Sequence, residues 1–390
     1  MKAILEIKDR CTACMACYNI CKVKAIAMLE DDEGFWHPQI DESTCTNCLL
    51  CEKICPEINE DDNKITNLIQ KAYYGWHNDD NIRKRSSSGG AFTAFADFIL
   101  KNNGVVFGAV YDNEKQMVLH KSTDECSLDA MRKSKYVQSY IGDSFNKVKA
   151  NLQQCKKVFY VGTPCQIVGL KMFCDDKNLI TCDFICHGVP PMSLLIEDFK
   201  LLENKYHDKI INFDFRPKVK SWSYDFFSLF FKSGKRKDIP WSFDSYYKGF
   251  IDNLTLRKSC YRCRYSAIQH IADITLADYW GYRRYDENIF DNRGLSLILA
   301  NTEKGENLIK SIDKNKFTFN PLKWEYADYV FFERNNENYN IDKRDEFFKY
   351  YTIHGYKKAV KRYGLTPSFK RKLLKLGAKI KRKIFGKYKY

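Results

Sequence analysis

Apolar and polar positions in the middle of the chain follow strand-like and helix-like spacings in turn, and this order predicts an α/β fold. Apolar runs bounded by polar turns predict strands at 104–112 and 116–122. Apolar residues three or four positions apart predict a helix over 144–155. Further strand-like runs follow at 210–216, 224–234 and 294–301.

Between these elements the chain repeats the order strand, loop, helix twice. The ranges are 157–162, 163–166 and 167–173 for the first unit and 179–185, 186–190 and 192–206 for the second. Units of this kind form parallel strands, so both loops are expected at the carboxyl edge of one sheet, where open sheets bind ligands. Cys165 lies in the first loop and Cys186 in the second, and we expect these cysteines to be close in space.

A turn rich in serine and glycine precedes another predicted helix. Phe92, Phe95 and Ile99 recur at helical spacing, and the pattern predicts a serine-capped helix that begins near Ala91. The N–H groups of that helix N-terminus, beside the basic residues at 83–85, form an anion site that suits the phosphate of a dinucleotide cofactor. The alternative is an ordinary serine cap with solvated basic side chains.

Composition indicates a reducing compartment. The 390 residues are enough for two or three domains, and the N-terminus lacks the apolar core of a signal peptide. No run approaches the ~20 apolar residues that span a bilayer. Sixteen cysteines in such a chain indicate metal binding or redox chemistry instead of a disulfide framework. We therefore predict a cytoplasmic protein.

The formal charge of +15 comes almost entirely from the C-terminal end. From Lys357 onward the chain has fourteen lysines and arginines and no acidic residue, so the rest is close to neutral. Apolar residues in this tail share one face of a predicted basic amphipathic helix, at Phe369, Leu373, Leu376, Ile380 and Ile384. Such a helix is attracted to an anionic membrane surface and would place the protein at the inner face of the membrane. A solvated or partner-docking helix is the alternative, and we predict no nucleic-acid partner.

Two cysteine repeats near the N-terminus carry the most specific chemical pattern. Both follow C-x2-C-x2-C-x3-C, which binds cubane clusters in bacterial two-cluster ferredoxins, where the fourth cysteine of each repeat binds the other repeat's cluster. One 4Fe–4S cluster is therefore assigned to Cys11, Cys14, Cys17 and Cys55, and the other to Cys45, Cys48, Cys51 and Cys21. Structural zinc and disulfides are the alternatives, although zinc ribbons need only paired cysteines.

A second group of cysteines is dispersed through the sequence. Cys260 and Cys263 have the spacing of a chelating pair, and Cys165 and Cys186 come from the two loops that are predicted to meet. Four thiolates suit a third 4Fe–4S cluster. Structural zinc and a redox-active dithiol stay open as alternatives for this group.

Several short motifs resemble, in order, those of one protein family. They are Ser87-Ser88-Gly89-Gly90, Ser134-Lys135-Tyr136-Val137-Gln138-Ser139, Gly162-Thr163-Pro164-Cys165-Gln166, Cys186-His187-Gly188-Val189-Pro190, Phe215-Arg216, Cys260-x-x-Cys263 and Asp273-Ile-Thr-x-x-Asp278-x-Trp280-Gly281. The chain thereby resembles the coenzyme F420 hydrogenase/dehydrogenase beta-subunit family, from about Ala72 to about Ile312. Many members carry a fused ferredoxin module ahead of this region.

The resemblance implies a flavin, usually FAD, beside a 4Fe–4S cluster. Carried onto this chain, the cluster ligands are Cys165, Cys186, Cys260 and Cys263. The implied flavin contacts are Ser87, Ser88, Gly89, Gly90, Ser134, Lys135 and Thr163. Lys133 and Ala277 depart from the family pattern, which often has glycine at both positions, and either side chain would narrow the flavin pocket.

A flavin also answers a question of electron counting. A cubane cluster carries one electron, whereas most organic reductions need a pair, and a flavin converts between the two. We predict an oxidoreductase in which electrons pass from an external donor, a ferredoxin or a redox subunit, through the clusters to the flavin and then to an organic two-electron acceptor. His187 is the candidate general acid, and a structural histidine bonded to a loop carbonyl is the alternative. Lys135 is the second catalytic candidate, for phosphate contact or for polarising the flavin.

The acceptor stays open at this point. In archaeal relatives it is the deazaflavin coenzyme, whereas bacterial relatives with a fused ferredoxin module are often associated with surface polysaccharide biosynthesis. The rival hypotheses are an electron-relay subunit of a larger redox complex, with no substrate of its own, and a scaffold whose cysteines bind zinc.

These observations predict an α+β ferredoxin-like module for two 4Fe–4S clusters at 1–58, followed by an α/β mixed-sheet flavin and iron–sulfur domain and a basic helical tail. The flavin and iron–sulfur part divides into an N-terminal domain at 70–155 and a C-terminal domain at 156–330. The basic amphipathic tail occupies 331–390.

Overall fold

The computed structural model describes residues 3–59, 71–219, 221–266, 271–282, 289, 291–323 and 339–367. The strands in these ranges are β1 (Ile26–Glu30), β2 (Trp36–Ile40), β3 (Lys71–His77), β4 (Val105–Asp112), β5 (Met117–Ser122), β6 (Val158–Val161), β7 (Leu179–Phe184), β8 (Ile210–Phe215), β9 (Phe226–Phe231), β10 (Arg236–Pro240), β11 (Ile274–Asp278), β12 (Ser296–Ala300) and β13 (Phe317–Leu322). The α-helices are α1 (Ala3–Glu6), α2 (Ala16–Ile20), α3 (Leu50–Lys53), α4 (Asp80–Lys84), α5 (Ala91–Lys101), α6 (Leu128–Met131), α7 (Ser144–Gln153), α8 (Pro164–Phe173), α9 (Met192–Tyr206), α10 (Ser245–Ile251), α11 (Glu303–Ser311), α12 (Ile341–His354) and α13 (Tyr356–Arg362). Short 3-10 helices cover Trp241–Phe243, Lys258–Arg262 and Arg264–Ser266.

The largest sheet has eight strands within the described ranges, in the order β13-β3-β12-β11-β7-β6-β4-β5. Its central strands β4, β6, β7 and β11 run parallel, and the strands on either side are antiparallel. Helices cover both faces, because Val158 and Tyr160 of β6 pack with residues of α7 and α8, whereas Phe159 packs with residues of α5 and α11. The predicted mixed α/β fold is confirmed. A smaller antiparallel sheet has the order β10-β9-β8, and β1 pairs with β2.

The parallel pairing of β6 and β7 is also confirmed, so the segments that follow these strands lie at the same edge of the sheet. One boundary differs from the prediction. Helix α8 already begins at Pro164, directly after the N-cap residue Thr163, so Cys165 lies in the first turn of a helix instead of a loop. The side chain of Gln166 accepts a hydrogen bond from the N–H of Thr163 at 3.0 Å, which explains the early helix start.

Helix α5 begins at Ala91 as predicted, but the expected serine cap is wrong. The N-cap residue is Gly90, whose φ of +96° lies in the left-handed region, and no side chain caps the helix. The serine hydroxyls bond elsewhere: Ser86 donates to Ile82, and Ser88 donates to the carbonyl oxygen of Leu295. The turn therefore connects α5 to β12 instead of capping the helix.

The N-terminal module shares a hydrophobic core with the large sheet. Met15, Ala16 and Trp36 belong to the same buried cluster as Phe145 of α7 and Ile167 of α8. Because both parts bury apolar surface against each other, the module has a fixed position beside α8.

The C-terminal part of the described chain also packs into the core. Phe347 and Phe348 of α12 and Val360 of α13 are buried in the cluster that includes α9 and α10. The amphipathic pattern at 369–384 lies outside the described residues, so the predicted membrane-binding helix stays a prediction. Within the described ranges, no helix has the length and apolar character needed to cross a bilayer.

Two buried carboxyl groups meet where these helices pack. Asp198 of α9 and Asp244, the N-cap residue of α10, are 2% and 1% exposed and are hydrogen-bonded to each other. The hydroxyl of Tyr356 also donates to Asp198 at 3.1 Å. Burial, reinforced by the charge of Asp244, raises the pKa of Asp198 well above its usual range, and burial raises the pKa of Asp244 to about 6. The folded pair therefore holds a proton that an unfolded aspartate releases.

This pair predicts a pH-dependent stability. Because the folded pKa values lie above the unfolded value of ~3.9, the free energy of unfolding should fall as pH rises from about 4 to beyond 6, by roughly 2–3 kcal/mol. The Asp198→Asn variant, which leaves Asp244 as the one carboxyl group of the pair, should show a flatter dependence in urea denaturation followed by circular dichroism. Asp124→Asn, at an exposed aspartate, is the control and should keep the full slope. Equal slopes in both variants would contradict the assignment.

Candidate functional site

The structure brings together the first cysteine set assigned from the sequence. Cys11, Cys14, Cys17 and Cys55, here called the inner set, line one small cavity and are each less than 10% exposed. Burial, with the charges of the neighbouring thiols, raises the pKa of Cys14 to about 12 and that of Cys55 to about 11. Several thiolates share this space only if a cation is bound among them, so the donor set fits an iron–sulfur cluster.

The thiol of Cys11 differs from the other three. Burial raises the pKa of Cys11, whereas the hydrogen bond with His37 and the positive charge of Arg257 lower it. Together these lowering effects outweigh burial, so the net shift is downward. His37 is itself held by Asp31, whose Oδ2 lies 3.1 Å from Nε2 of the imidazole. The inner set thus has a positively charged side, formed by Arg257.

The second set, Cys45, Cys48, Cys51 and Cys21, is here called the outer set. Cys21, Cys45 and Cys51 pack beside one hydrophobic cluster of the module, and Cys48 is exposed to solvent. The Sγ of Cys21 accepts a hydrogen bond from the N–H of Ala25 at 3.2 Å. The outer set therefore faces water, whereas the inner set is enclosed.

The sequence repeat is also a repeat of backbone conformation. Ala13 and Met15 have φ values of 52° and 60°, and the corresponding residues Asn47 and Leu49 have values of 55° and 58°. Positive φ at alternate residues turns each loop around its cysteines. Both repeats thus form the same kind of loop.

The structure also brings together the dispersed cysteines Cys165, Cys186, Cys260 and Cys263, here called the third set. Cys186 follows β7, Cys260 lies in the 3-10 helix Lys258–Arg262, and Cys263 ends that helix. Burial and the charges of the other three thiols raise the pKa of Cys165 well above its usual range, so all four side chains interact electrostatically. The prediction that Cys165 and Cys186 lie close together is consistent with this geometry.

Three all-thiol sets fit iron–sulfur clusters by their donor chemistry. Within the described part of the chain, no group of three or more cysteine, histidine, aspartate or glutamate side chains is arranged to hold a metal ion. A cubane cluster binds each thiolate through a different iron, so its ligands surround a larger object than a single ion.

The inner and third sets are connected through helix α8. Cys165 lies in its first turn, and Gly169 follows one turn later. A methyl group built on Gly169 would lie 2.8 Å from Cβ and 2.9 Å from Sγ of Cys14. The absence of a side chain at Gly169 therefore lets the inner loop lie directly against the helix that carries Cys165.

A cavity of about 630 Å³ opens at the carboxyl edge of the sheet, within the size range of cofactor pockets. Cys186 of the third set lines it, as do His187, Thr163 and residues of the 134–139 motif. Four buried polar atoms of lining residues have no hydrogen-bond partner within the described residues: Nδ1 of His120, Nη2 of Arg216, the hydroxyl oxygen of Tyr247 and Oδ1 of Asn253. Size and unpartnered polar atoms both fit an organic cofactor.

The serine–glycine turn divides its residues between this cavity and the sheet. Ser87, Ser88 and Gly90 line the cavity, and Oγ of Ser87 accepts a hydrogen bond from the N–H of Ser134 at 2.9 Å. Gly89 instead faces the sheet, because a Cβ there would lie 2.3 Å from the carbonyl oxygen of Gly75. Two motifs that are distant in the sequence thus meet at one wall.

The basic residues at 83–85, which we expected at the anion site, do not line the cavity. Arg83 is 1% exposed and pairs with Asp291 at 2.9 Å, and Arg85 pairs with Asp129 at the surface. The cavity is lined instead by other basic residues, Arg132, Lys133, Lys135 and Arg216. The prediction that the basic residues next to the N-terminus of α5 form the anion site is therefore wrong for this cavity.

Lys133, one of the departures from the family pattern, occupies a position that suits glycine. Its φ is +69°, in the left-handed region, and its ammonium group pairs with the buried carboxylate of Asp214. The side chain is thereby directed to an ion pair, and the cavity keeps its volume.

The two candidate catalytic residues both line the cavity and both make structural hydrogen bonds. Nζ of Lys135 donates to the carbonyl oxygens of Ala130 and Arg132 at 2.9 and 2.7 Å, and burial lowers the pKa of Lys135 to about 7. Nε2 of His187 donates to the carbonyl oxygen of Phe250 at 3.1 Å. This is the contact expected of a structural histidine, and the general-acid role of His187 stays a prediction.

One wall of the cavity consists of charged and aromatic side chains to which the sequence analysis assigned no function. Arg216, with a φ of +55°, pairs with Asp225 at 2.9 Å and with Asp278, which also accepts a hydrogen bond from Nε1 of Trp222. The ring of Trp280 stacks on Trp222 with centroids 4.3 Å apart and is 37% exposed at the cavity. Arg216, Asp278 and Trp280 belong to quoted motifs, but only the fold shows that they form one wall.

Comparison with known families identifies three segments of the chain. Residues 10–58 match the model of a 4Fe–4S dicluster domain. Residues 72–143 match the model of the N-terminal part of the coenzyme F420 hydrogenase/dehydrogenase beta subunit, and residues 155–323 match the model of its C terminus. The two beta-subunit models together cover more than half of the chain.

Among solved structures, the chain is similar to a chain of the F420-reducing [NiFe] hydrogenase complex from Methanosarcina barkeri, in a structure derivatized with xenon. The two are 16% identical with a TM-score of 0.47, and the match covers 74% of this chain and 94% of that one. No curated protein matches the chain.

Proposed function

The chain belongs to the coenzyme F420 hydrogenase/dehydrogenase beta-subunit family, and from this premise we propose that it is an iron–sulfur flavoprotein oxidoreductase. The dicluster domain makes it an iron–sulfur electron-transfer protein. The observation that carries the proposal is the position of Cys186, which belongs to the third set and also lines the large cavity. A cluster on that set would be adjacent to any cofactor in the cavity.

The cavity residues match the needs of a flavin. Ser87, Ser88, Gly90, Ser134 and Thr163 offer small polar groups at one side, as the family resemblance implies. The basic side chains of Arg132, Lys133, Lys135 and Arg216 would offer N–H donors to the phosphates of FAD, and those of Lys133 and Arg216 are also paired with carboxylates. When bound, the clusters carry single electrons and the flavin combines two of them for an organic acceptor.

The protein's own residues arrange these sites in series. The outer set faces water, where an external donor can approach, and the inner set is buried against α8. Cys165 of the third set lies one helical turn before Gly169 on α8. Cys186 of the same set lines the cavity. This order supports electron flow between the surface of the ferredoxin module and the cavity.

The acceptor would bind beside Trp280, the exposed aromatic ring at the cavity. The deazaflavin coenzyme is one candidate acceptor. The other is an acceptor in surface polysaccharide biosynthesis, and in that case the basic tail would hold the protein near an anionic membrane. A pure relay subunit is the remaining alternative, and it predicts a stable complex with a catalytic partner and no turnover in isolation.

Cofactor stoichiometry of the anaerobically purified full chain tests the proposal. Three cubane clusters and one flavin require about twelve irons and one flavin per chain. About eight irons without flavin would favour the relay hypothesis, and zinc in place of iron would favour the scaffold hypothesis. The reduced protein should then be mixed with deazaflavin and with other organic acceptors, because the acceptor that reoxidises the flavin identifies the substrate class.

A further inference from the structure

One buried arginine connects the ferredoxin module to the third set. Arg257 is 2% exposed, and its Nε donates to the carbonyl oxygen of Cys11 at 2.6 Å. Its backbone N–H donates to Val189, in the loop that follows Cys186, and its carbonyl oxygen accepts from the N–H of Cys260 at 2.9 Å. A single residue therefore contacts the loop of one inner-set cysteine and two segments of the third set.

The remaining donors of Arg257 bind neutral groups. Nη1 donates to Oε1 of Gln138 at 3.1 Å, and Nη2 donates to the carbonyl oxygen of Trp36 at 2.9 Å. Nη2 also lies 3.4 Å from Nε2 of His37, and His37 separates it from the carboxylate of Asp31. Within the described residues, no carboxylate forms an ion pair with Arg257. Its positive charge is therefore directed at the inner set without direct neutralisation.

Gln138 reinforces the same connection. Its Nε2 donates to the carbonyl oxygen of Thr12, between two inner-set cysteines, and its backbone N–H donates to Pro190 at 3.0 Å. Gln138 is 4% exposed. Two buried residues thus tie the inner loop to the segment after Cys186, through their side chains on one side and their backbone N–H groups on the other.

The charge of Arg257 matters because reduction makes a cluster more negative. Burial away from water disfavours that added charge and lowers the reduction potential of the inner cluster, whereas the outer cluster is next to solvent through Cys48. A buried cation stabilises the reduced form and opposes the effect of burial. Without such a cation, burial alone would make electron transfer from the outer to the inner cluster unfavourable.

We propose that Arg257 is a positioning residue that fixes the inner cluster against the third set and raises its reduction potential above that of the outer cluster. Electrons that enter at the exposed outer cluster are thereby drawn to the inner one. The order of potentials concerns only the two ferredoxin clusters, and the onward step to the third set rests on the proposed function.

The test is a redox titration of the anaerobically loaded full chain, followed by electron paramagnetic resonance. A Cys48→Ser variant, which alters the outer cluster, assigns the two ferredoxin signals. The unmodified chain should reduce the inner cluster first. In Arg257→Met the ratio of reduced to oxidised inner cluster at a fixed potential should fall at least tenfold, which is about 59 mV for a one-electron couple, while the outer signal stays in place. Arg257→Lys keeps the positive charge, so the reduction potential of the inner cluster should fall much less than in Arg257→Met.

Arg344 provides a matched control at the same interface. It is 0% exposed and donates to the carbonyl oxygen of Leu256 at 3.1 Å, but its charge is neutralised by Glu33. Arg344→Met should therefore disturb the packing of the module and leave the inner potential unchanged. Equal shifts in the Met variants of Arg257 and Arg344, or reduction of the outer cluster first in the unmodified chain, would overturn the proposal. Iron and flavin analysis of the same preparations reports separately on the proposed function, since a missing flavin leaves the titration readable.

Discussion

A Cys186→Ser variant is expected to lose the third cluster and, with it, reduction of the flavin by a ferredoxin-type donor. The iron content should fall from about twelve to about eight per chain, because the outer and inner sets keep all their ligands. Cys186 is the cysteine of the third set that lines the cavity, so its loss removes the centre closest to the flavin. Iron and flavin analysis measures the composition, and stopped-flow absorbance measures flavin reduction after mixing with the reduced donor.

The matched control is Cys155→Ser, the same substitution at an exposed cysteine just beyond α7. This variant should keep about twelve irons and an unchanged rate of flavin reduction. A Cys186→Ser protein that also keeps about twelve irons would contradict the assignment of the third set. Loss of one zinc instead of four irons would support the structural-zinc alternative.

Much of the fold could be predicted because its signals are local. The strand and helix of each strand–loop–helix unit follow from apolar runs and helical spacing, and β6, β7, α7 and α9 lie where these patterns placed them. The capping of α5 could not be predicted, because it depends on distant residues. Ser88 bonds to Leu295, more than two hundred residues away, and this contact leaves Gly90 at the N-cap.

The cysteine sets could be predicted to different degrees for the same reason. The inner and outer sets each occupy a short stretch whose spacing identifies the chemistry, whereas the third set required the parallel pairing of β6 and β7 as well. Arg257 carries no sequence signal, since its partners Cys11, Trp36 and Gln138 come from three separate segments. Buried charge beside a cofactor site becomes visible only in the folded chain.

Gly169→Ala is expected to expel the inner cluster by a different route, through crowding. Helix α8 carries Cys165 in its first turn and passes Cys14 at Gly169, about 6 Å further along the helix axis. The added methyl group would lie 2.8 Å from Cβ of Cys14, so the inner loop must shift. Alanine gains about 1 kcal/mol of helix propensity over glycine, but overpacking in a filled core costs about 1–3 kcal/mol. The iron content should fall to about eight, and the inner signal should disappear from the resonance spectrum.

Gly249→Ala separates this effect from general destabilisation. A methyl group on Gly249 of α10 would lie 2.9 Å from Thr255 and 3.2 Å from Leu365, a similar crowding that involves no cysteine. Both variants should unfold at a lower temperature than the unmodified chain, but only Gly169→Ala should lose iron and donor-driven reduction of the flavin. If Gly169→Ala instead keeps its inner cluster and its rate, close packing of Cys14 on α8 is not what couples the ferredoxin module to the third set. The connection would then depend on Arg257 and Gln138, which hold the same two segments by hydrogen bonds.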